Sequence, residues 1–474
     1  MNNALRRLVG TVVIVVAAVG PAVAERFVLQ APAWGAAQAA AVAAAGGKVV
    51  ISHGETGVAV VDAPDAAFLD RIRRSPAIQF ADRDIHLLSE PTPVVDPADI
   101  HLLDIHLLDI HLLDIHLLDI HLLDIYLLSP WPGAPLPDPL GNPLYPLQWA
   151  PRSVNAPAAW AAGYTGRGVR VAVLDGGLYA DHEDLAGAVD RAASRSCTEG
   201  TFDSDVGTFW HGTHVAGIVG ARNDGKGVIG IAPDATLIGV KVLHGGSGSF
   251  GSLICGILHA ATTARADVIN MSLGAVVPKS DPGAGRLIAA LNKAIDFAAR
   301  NGALVVSAAG NDELDADHSG NLALVPAQSG SGMAVAATGP LGWAMGNRDF
   351  SRFASYSNSG TSLVSVAAPG GDAALPGDAL CTVGGITRPC WVFDLVLSTA
   401  RGDVAAGGYR WAAGTSMAAP VVAGVAALAK QRFPGASPAQ LRALLESSAV
   451  DTGKQGRDPL YGRGFIDALR AVAP

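Results

Sequence analysis

A serine hydroxyl attacks a carbonyl at neutral pH when an imidazole beside it takes the proton and a carboxylate holds that imidazole in the right tautomer. This chain carries all three groups in short Gly-containing segments and in a fixed order. Asp175 stands in Val-Ala-Val-Leu-Asp-Gly-Gly (171–177), His211 opens His-Gly-Thr-His-Val-Ala-Gly (211–217), and Ser416 stands in Gly-Thr-Ser-Met-Ala-Ala-Pro (414–420). Any one of these segments alone has the composition of a cap or a turn. Together they describe a nucleophile, its base and the acid that orients the base.

The surrounding elements put these groups where such chemistry needs them. Residues 169–174 alternate small and β-branched side chains as a buried parallel strand does. Gly176 and Gly177 then end the strand at the carboxyl edge, where open α/β sheets place their ligands. His211 leads into a helical run over 215–221, and Ser416 begins one over 416–431, with Pro420 near its start where a helix tolerates proline. A nucleophile at a helix N-terminus lies beside unpaired N–H groups and the positive end of the dipole, which suits a developing oxyanion. Further strands at 169–174, 236–242, 268–271, 304–308 and 331–337 alternate with helices at 250–265 and 286–301. This alternation predicts an α/β fold, a doubly wound, mostly parallel sheet with helices on both faces.

From about Tyr145 to the C-terminus the chain resembles the subtilisin-like serine proteases, the subtilases, whose triad runs Asp, His, Ser along the chain. Further motifs match. Val-Ile-Asn-Met-Ser-Leu-Gly (268–274) resembles the strand that pairs with substrate, implying binding roles for Ser272, Leu273 and Gly274. Ala-Ala-Gly-Asn (308–311) resembles the oxyanion-hole segment, implying that role for Asn311 with Ala309 and Gly310 lining the substrate. Gly-Ser-Gly-Ser-Phe (246–250) resembles the opposite substrate strand, with Gly248 on it and Phe250 as a more distant pocket wall. One departure is Gly176, where the family usually has Ser or Thr; backbone N–H groups and His211 are expected to satisfy Asp175 instead. The resemblance also implies a structural Ca²⁺ near Asp184 and Asp224, a hard cation that wants oxygen ligands, and no cofactor for the chemistry itself. Asp312, Glu313, Asp315 and Asp317 follow Asn311, where the family shapes its primary pocket. Two readings are open for them, a pocket favouring Lys or Arg and a solvated acidic loop.

The whole chain has 474 residues, enough for one large domain with accessories, and its 56 glycines and 29 prolines make it rich in turns. Its formal charge of −9 leaves no basic surface for nucleic acid. Arg6 and Arg7 precede an apolar run over 8–19, and Ala22-Val23-Ala24 fits a small-x-small cleavage site, so residues 1–24 read as an export signal. Extracellular or periplasmic location follows, with no stable membrane anchor. Four cysteines in an exported chain can be oxidised. Cys381 and Cys390, in one Gly/Pro-containing loop, are expected to pair, and Cys197 with Cys255 is left open.

Residues 25–90 read as a small α+β unit, and its position resembles the inhibitory propeptide of subtilases, an intramolecular chaperone whose tail occupies the cleft. Residues 91–144 read as a linker. It contains Asp-Ile-His-Leu-Leu in tandem over 99–123, continued as Asp-Ile-Tyr-Leu-Leu over 124–128, and a solitary copy stands earlier at 84–88. A period of five advances about 140° past a full helical turn and alternates faces on a strand, so it builds no continuous apolar face in either form. A β-solenoid of five-residue sides is conceivable. His86, His101, His106, His111, His116 and His121 could bind a metal, and the plainer reading is an expanded propeptide tail. Pro-rich residues 129–146 follow as an extended linker near the expected processing point, and residues 145–474 form the catalytic domain with no C-terminal accessory domain.

Three functions compete. The first is an exported, monomeric endopeptidase that acts on protein or peptide substrates and is inhibited by its own propeptide. The second is a pseudoprotease that keeps a peptide groove without turnover, against which the three catalytic groups and Asn311 argue. The third is a His-rich metal-binding or adhesive protein whose protease domain serves its own processing.

Overall fold

The computed structural model describes residues 25–87, 141–204, 210–374, 376–400 and 408–473. The export signal, the tandem repeat and most of the Pro-rich linker lie outside the described residues. Residues 25–83 form the small α+β unit: β1 (Glu25–Gln30), α1 (Ala36–Ala44), β2 (Lys48–Ser52), β3 (Val58–Ala63), α2 (Phe68–Ile72) and β4 (Phe80–Arg83). Their antiparallel sheet runs β2-β3-β1-β4, and a two-residue strand, β5 (His86–Leu87), follows it. Period-two alternation sorts each strand onto two faces. Phe27 and Leu29 of β1, with Ala59 and Val61 of β3, pack under the unit's own helices. Val28, Val58 and Val60 point the other way and join the core of the larger domain.

That larger domain begins with α3 (Ala150–Ser153) and α4 (Ala156–Ala161) and is built on β6 (Arg170–Asp175), β7 (Arg195–Ser196), α5 (His211–Gly220) and β8 (Thr236–Lys241). The chain continues through β9 (Leu243–His244), β10 (Ser247–Ser249), α6 (Phe250–Thr262), β11 (Val268–Met271), β12 (Ala275–Pro278) and α7 (Ala284–Arg300). It then forms β13 (Leu304–Ala308), β14 (Leu322–Val325), β15 (Met333–Thr338), β16 (Val364–Pro369), and the hairpins β17 (Leu380–Val383) with β18 (Ile386–Pro389) and β19 (Val396–Thr399) with β20 (Tyr409–Ala412). Helices α8 (Thr415–Arg432), α9 (Pro438–Ser448) and α10 (Ala468–Val472) complete it.

Seven parallel strands make the central sheet, in the order β16-β15-β13-β11-β6-β8-β7. Val171 and Val173 of β6 face the core shared with α5 and α8, whereas Ala172 and Leu174 face the one shared with α6 and α7. A sheet buried on both faces needs strands apolar at every position, which is how β6 reads. The doubly wound α/β architecture is the expected one. Element boundaries shift by a few residues: α5 starts at His211 itself, α6 ends at Thr262, and α7 starts at Ala284, following Gly283 in the left-handed region at φ 84°.

Two disulfides close the cysteine inventory. Cys381–Cys390 staples β17 to β18, and Cys197–Cys255 ties the segment after β7 to α6, the pairing the sequence left open. The second closes a loop with a sequence separation of 58. Chain-entropy arguments put its contribution at about 4 kcal/mol. A Cys197→Ser/Cys255→Ser chain is therefore expected to lose about 3–4 kcal/mol in denaturant unfolding, and a loss below about 1 kcal/mol would show that the cross-link is not a main constraint on the fold.

Candidate active site

β6 delivers Asp175 as its last residue, and α5 delivers His211 as its first. Both are buried, and His211 Nδ1 lies 3.0 Å from each Asp175 carboxylate oxygen. The Gly176 N–H donates to Asp175 Oδ1 at 2.7 Å, supplying from the backbone what a hydroxyl at position 176 would otherwise give. Glycine at 212 allows this approach: a Cβ there would lie 2.0 Å from the Gly177 carbonyl oxygen and 3.0 Å from Asp175 Oδ1. His214, one turn along α5, is buried with Nε2 against the Arg410 carbonyl at 3.0 Å. Burial drives its pKa down to about 3, so it stays neutral beside His211.

α8 packs on α5 and starts at Thr415, placing Ser416 in its first turn. Ser416 and Ser272, which follows β11, clasp each other: Ser272 Oγ donates to the Ser416 carbonyl at 2.7 Å, and Ser416 Oγ donates to the Ser272 carbonyl at 3.2 Å. Asn311 is oriented from the same turn, since its Oδ1 accepts from Thr415 N and Thr415 Oγ1, both at 2.8 Å. The Nδ2 therefore turns away from Thr415. An ideal Cβ built on Gly414 would lie 3.6 Å from Ser416 N and 3.7 Å from Asn311 Nδ2, so the two groups border one small space. Two N–H donors bordering one space have the arrangement that an oxyanion hole requires.

Asn358, a residue without a sequence signal, fixes the segment that carries Asn311. Its Oδ1 accepts from Asp312 N and Leu314 N at 2.9 and 2.8 Å, and its Nδ2 donates to the Ala309 carbonyl at 3.1 Å. Gly310, at φ 102°, donates its N–H to Thr415 Oγ1 at 3.1 Å, and a Cβ on it would strike Asn358 Nδ2 at 2.2 Å.

Two strands border this centre. Ser272, Leu273 and Gly274 run from β11 into β12, whose partner β14 is lined by Ala323, Leu324 and Val325. On the other side, β10 carries Gly248 and pairs antiparallel with β5, in the register Gly248 to Leu87 and Ser249 to His86. Phe250, expected as a pocket wall, is the first residue of α6 and fully buried with Leu253 and Ile254 beneath the groove.

Three of the four acidic residues after Asn311, Asp312, Asp315 and Asp317, serve their own loop. Asp317 accepts from Thr361 N and Ser362 N at 2.7 and 2.9 Å, and hydrogen bonding from the Ser362 hydroxyl first, then from these amides, holds its pKa down to about 2. Asp315 pairs with His318, and Asp312 accepts from Asn358 Nδ2 at 3.1 Å.

Among the described residues no group of three or more His, Cys, Asp or Glu side chains could hold a metal ion. A different oxygen cradle lies near Asp184. The carbonyls of Arg222, Lys226 and Val228 converge on the Asn142 amide, at 3.2 Å for the first and third. Asp184 is fully buried; Oδ2 accepts from Val228 N at 2.8 Å, and Oδ1 has no hydrogen-bond partner. Burial pushes this carboxyl up to about 7. Asp224 instead pairs with Lys226 at 3.2 Å. Asn142 falls in the stretch read as linker, yet it is buried here, and Leu144 N donates to the Gly227 carbonyl. A set of carbonyls, an amide and an orphaned carboxylate oxygen is the donor chemistry of a hard cation.

A subtilase family model matches residues 166–464. The chain is 33% identical over 320 residues to the minor extracellular protease Epr of Bacillus subtilis (strain 168), a match covering 67% of this chain and 41% of that protein. It is 36% identical over 327 residues to subtilisin Savinase of Lederbergia lenta, covering 69% of this chain and 98% of that one. The epidermin leader peptide processing serine protease (EpiP) of Staphylococcus aureus shares the fold over 95% of this chain and 98% of its own, with a TM-score of 0.68 at 20% identity. On the sheet order, the segments that carry its motifs and these matches together, the chain belongs to the subtilase family and is a subtilisin-like serine endopeptidase.

Proposed function

We propose that the chain is an exported endopeptidase made as a self-processed precursor, with Ser416 as nucleophile, His211 as base then acid, and Asp175 orienting the imidazole. The observation that carries this is the buried His211–Asp175 pair, 3.0 Å to both oxygens, at the same sheet edge as Ser416. Ser416 Oγ turns from the Ser272 carbonyl toward His211 Nε2, gives up its proton there and forms a bond to the scissile carbonyl carbon. The carbonyl π pair moves onto oxygen, where Asn311 Nδ2 and Ser416 N donate to it. Collapse breaks the C–N bond as His211 protonates the leaving amine. Water, deprotonated by His211, then cleaves the acyl ester and returns the proton to Ser416.

Residues 25–87 act as the inhibitory propeptide, with β5 lying on β10 as a substrate strand would. Substrate is held between β10 and the Ser272-Leu273-Gly274 strand, with Ala309 and Gly310 beside the reacting carbonyl. The enzyme is a monomer that needs no cofactor for its chemistry. A structural Ca²⁺ binds through Asp184, the carbonyls of Arg222, Lys226 and Val228, and Asn142 after a half-turn of its amide, and it stiffens the segment after α5. Export is supported by the charged and apolar N-terminal segment and by the extracellular relative; among the described residues no helix is long and apolar enough to cross a membrane.

Ser416→Ala changes little volume, so the chain is expected to fold and remain full length when expressed without other proteases. A mature-sized product from it would rule out self-processing. The residue before the scissile bond is expected to be apolar rather than Lys or Arg, because β12 and β14 are apolar and the carboxylates of Asp312, Asp315 and Asp317 are engaged. Peptide-library cleavage at low and high salt checks this; a basic preference that fades with salt would restore an acidic pocket. EDTA is expected to lower the melting temperature by several degrees and excess Ca²⁺ to restore it, since ligand at a hundredfold its Kd stabilises by about 2.7 kcal/mol. Asp184→Asn should abolish that response, and identical melting with and without EDTA in the parent chain would remove the cation from the assignment.

A further inference from the structure

The solitary Asp-Ile-His-Leu-Leu at 84–88 supplies, through residues 84–87, the segment that lies on β10. Its first residue, Asp84, is buried and accepts from Gly251 N through both carboxylate oxygens, at 2.9 and 3.0 Å, filling the N-terminus of α6. Glycine at 251 makes room for it, since a Cβ there would lie 2.3 Å from Asp84 Oδ2. The second residue, Ile85, packs against the core around Phe250 and Leu253, and its carbonyl accepts from Phe250 N at 3.3 Å. The third and fourth, His86 and Leu87, add β5 to β10 through their backbone. The docking recipe is thus an Asp, an apolar residue, and two residues of extended backbone.

The same recipe recurs in tandem. Residues 99–123 hold five identical copies, and residues 124–128 form a sixth whose only change is Tyr for His at the third position. Asp and Ile, whose side chains make the described contacts, are kept in all six. The change falls where the described contact is backbone pairing. We propose that the tandem copies are further ligands for the groove that residues 84–87 occupy, so that the precursor carries an array of tethered, interchangeable inhibitors of its own substrate-binding strand. This rests on the reading of residues 25–87 as an inhibitory unit lying in that groove.

Linkage makes the array effective. A ligand on a short flexible tether reaches a local concentration in the millimolar range, and each doubling of the tether lowers it only about threefold. Fifteen residues separate the start of the solitary copy at Asp84 from that of the first tandem copy at Asp99. A copy that leaves the groove is then replaced by a neighbour, and the groove opens for good only when the array is cut away.

Hydrogen exchange at the Gly248 and Gly251 amides of the full-length Ser416→Ala chain tests this. Four forms are compared: intact, residues 84–88 replaced by a Gly/Ser segment, residues 99–128 deleted, and both changes together. Exchange at least tenfold slower in the first three forms than in the fourth is expected. Fast exchange in the intact chain would sink the groove reading itself. Slow exchange there, with fast exchange once residues 84–88 alone are replaced, would overturn the array and leave the groove reading standing. Slow exchange in all four forms would also overturn it. Should the replaced chains fail to fold, Asp84→Ala with residues 99–128 deleted serves as the background, read at Gly251. In that background a peptide of residues 99–108 is expected to slow the Gly251 amide, and the same peptide with Asp99→Ala and Asp104→Ala is not; equal effects of the two peptides would refute the docking recipe.

Discussion

A carboxylate taken out of water keeps its charge only if donors meet it, and meeting Asp175 is the requirement to which the rest of this molecule is arranged. Its two oxygens are met by the Gly176 N–H and His211 Nδ1. For the imidazole to reach them, α5 must begin against the end of β6, closer than any side chain at position 212 would allow. That places the helix N-terminus at the carboxyl edge of the sheet, and α8, packed on α5, brings Ser416 to the same edge. The imidazole needs no separate machinery for its tautomer. A carboxylate bracketing Nδ1 from both sides fixes the tautomer that the proposed proton transfers at Nε2 require.

The segment that carries Asn311 is held by two residues from elsewhere in the chain. Thr415 and Asn358 hold the 309–314 segment, one through the Asn311 side-chain Oδ1 and the other through three backbone groups. Donors fixed before the reaction have no orientation to lose as charge develops, so in the proposed mechanism the network around Asn311 bears on rate as well as on stability.

The N-terminal unit and the catalytic domain share one apolar core. Val28, Val58 and Val60 are fully buried in the cluster built around α6 and α7, so the small sheet has both faces covered only when docked. Ion pairs at the rim, such as Arg300 with Glu55 at 3.6 Å, are exposed and add specificity more than energy. The buried contribution is the valine face together with Arg26, which bridges Asp62 and the Cys197 carbonyl and so reaches the segment locked by the Cys197–Cys255 disulfide.

Local pattern along the chain was enough to reveal the parts of the site that pattern can encode. Asp175, His211 and Ser416 stood out because a nucleophile, a base and an acid each sat at a strand end or helix start, and the sheet followed from strands apolar at every position. It also marked the pentapeptide as unable to build a helix or strand face. What only the tertiary structure decided are contacts between residues far apart in the chain: Asn358 under Asn311, the Cys197–Cys255 pairing, Asn142 among the carbonyls after α5, and Asp84 at the start of α6. None has a period or a fixed spacing, since each depends on where separate elements come to rest. The acidic loop shows the same limit, because composition gives its carboxylates a charge while only folding gives them the Thr361 and Ser362 N–H groups that engage it.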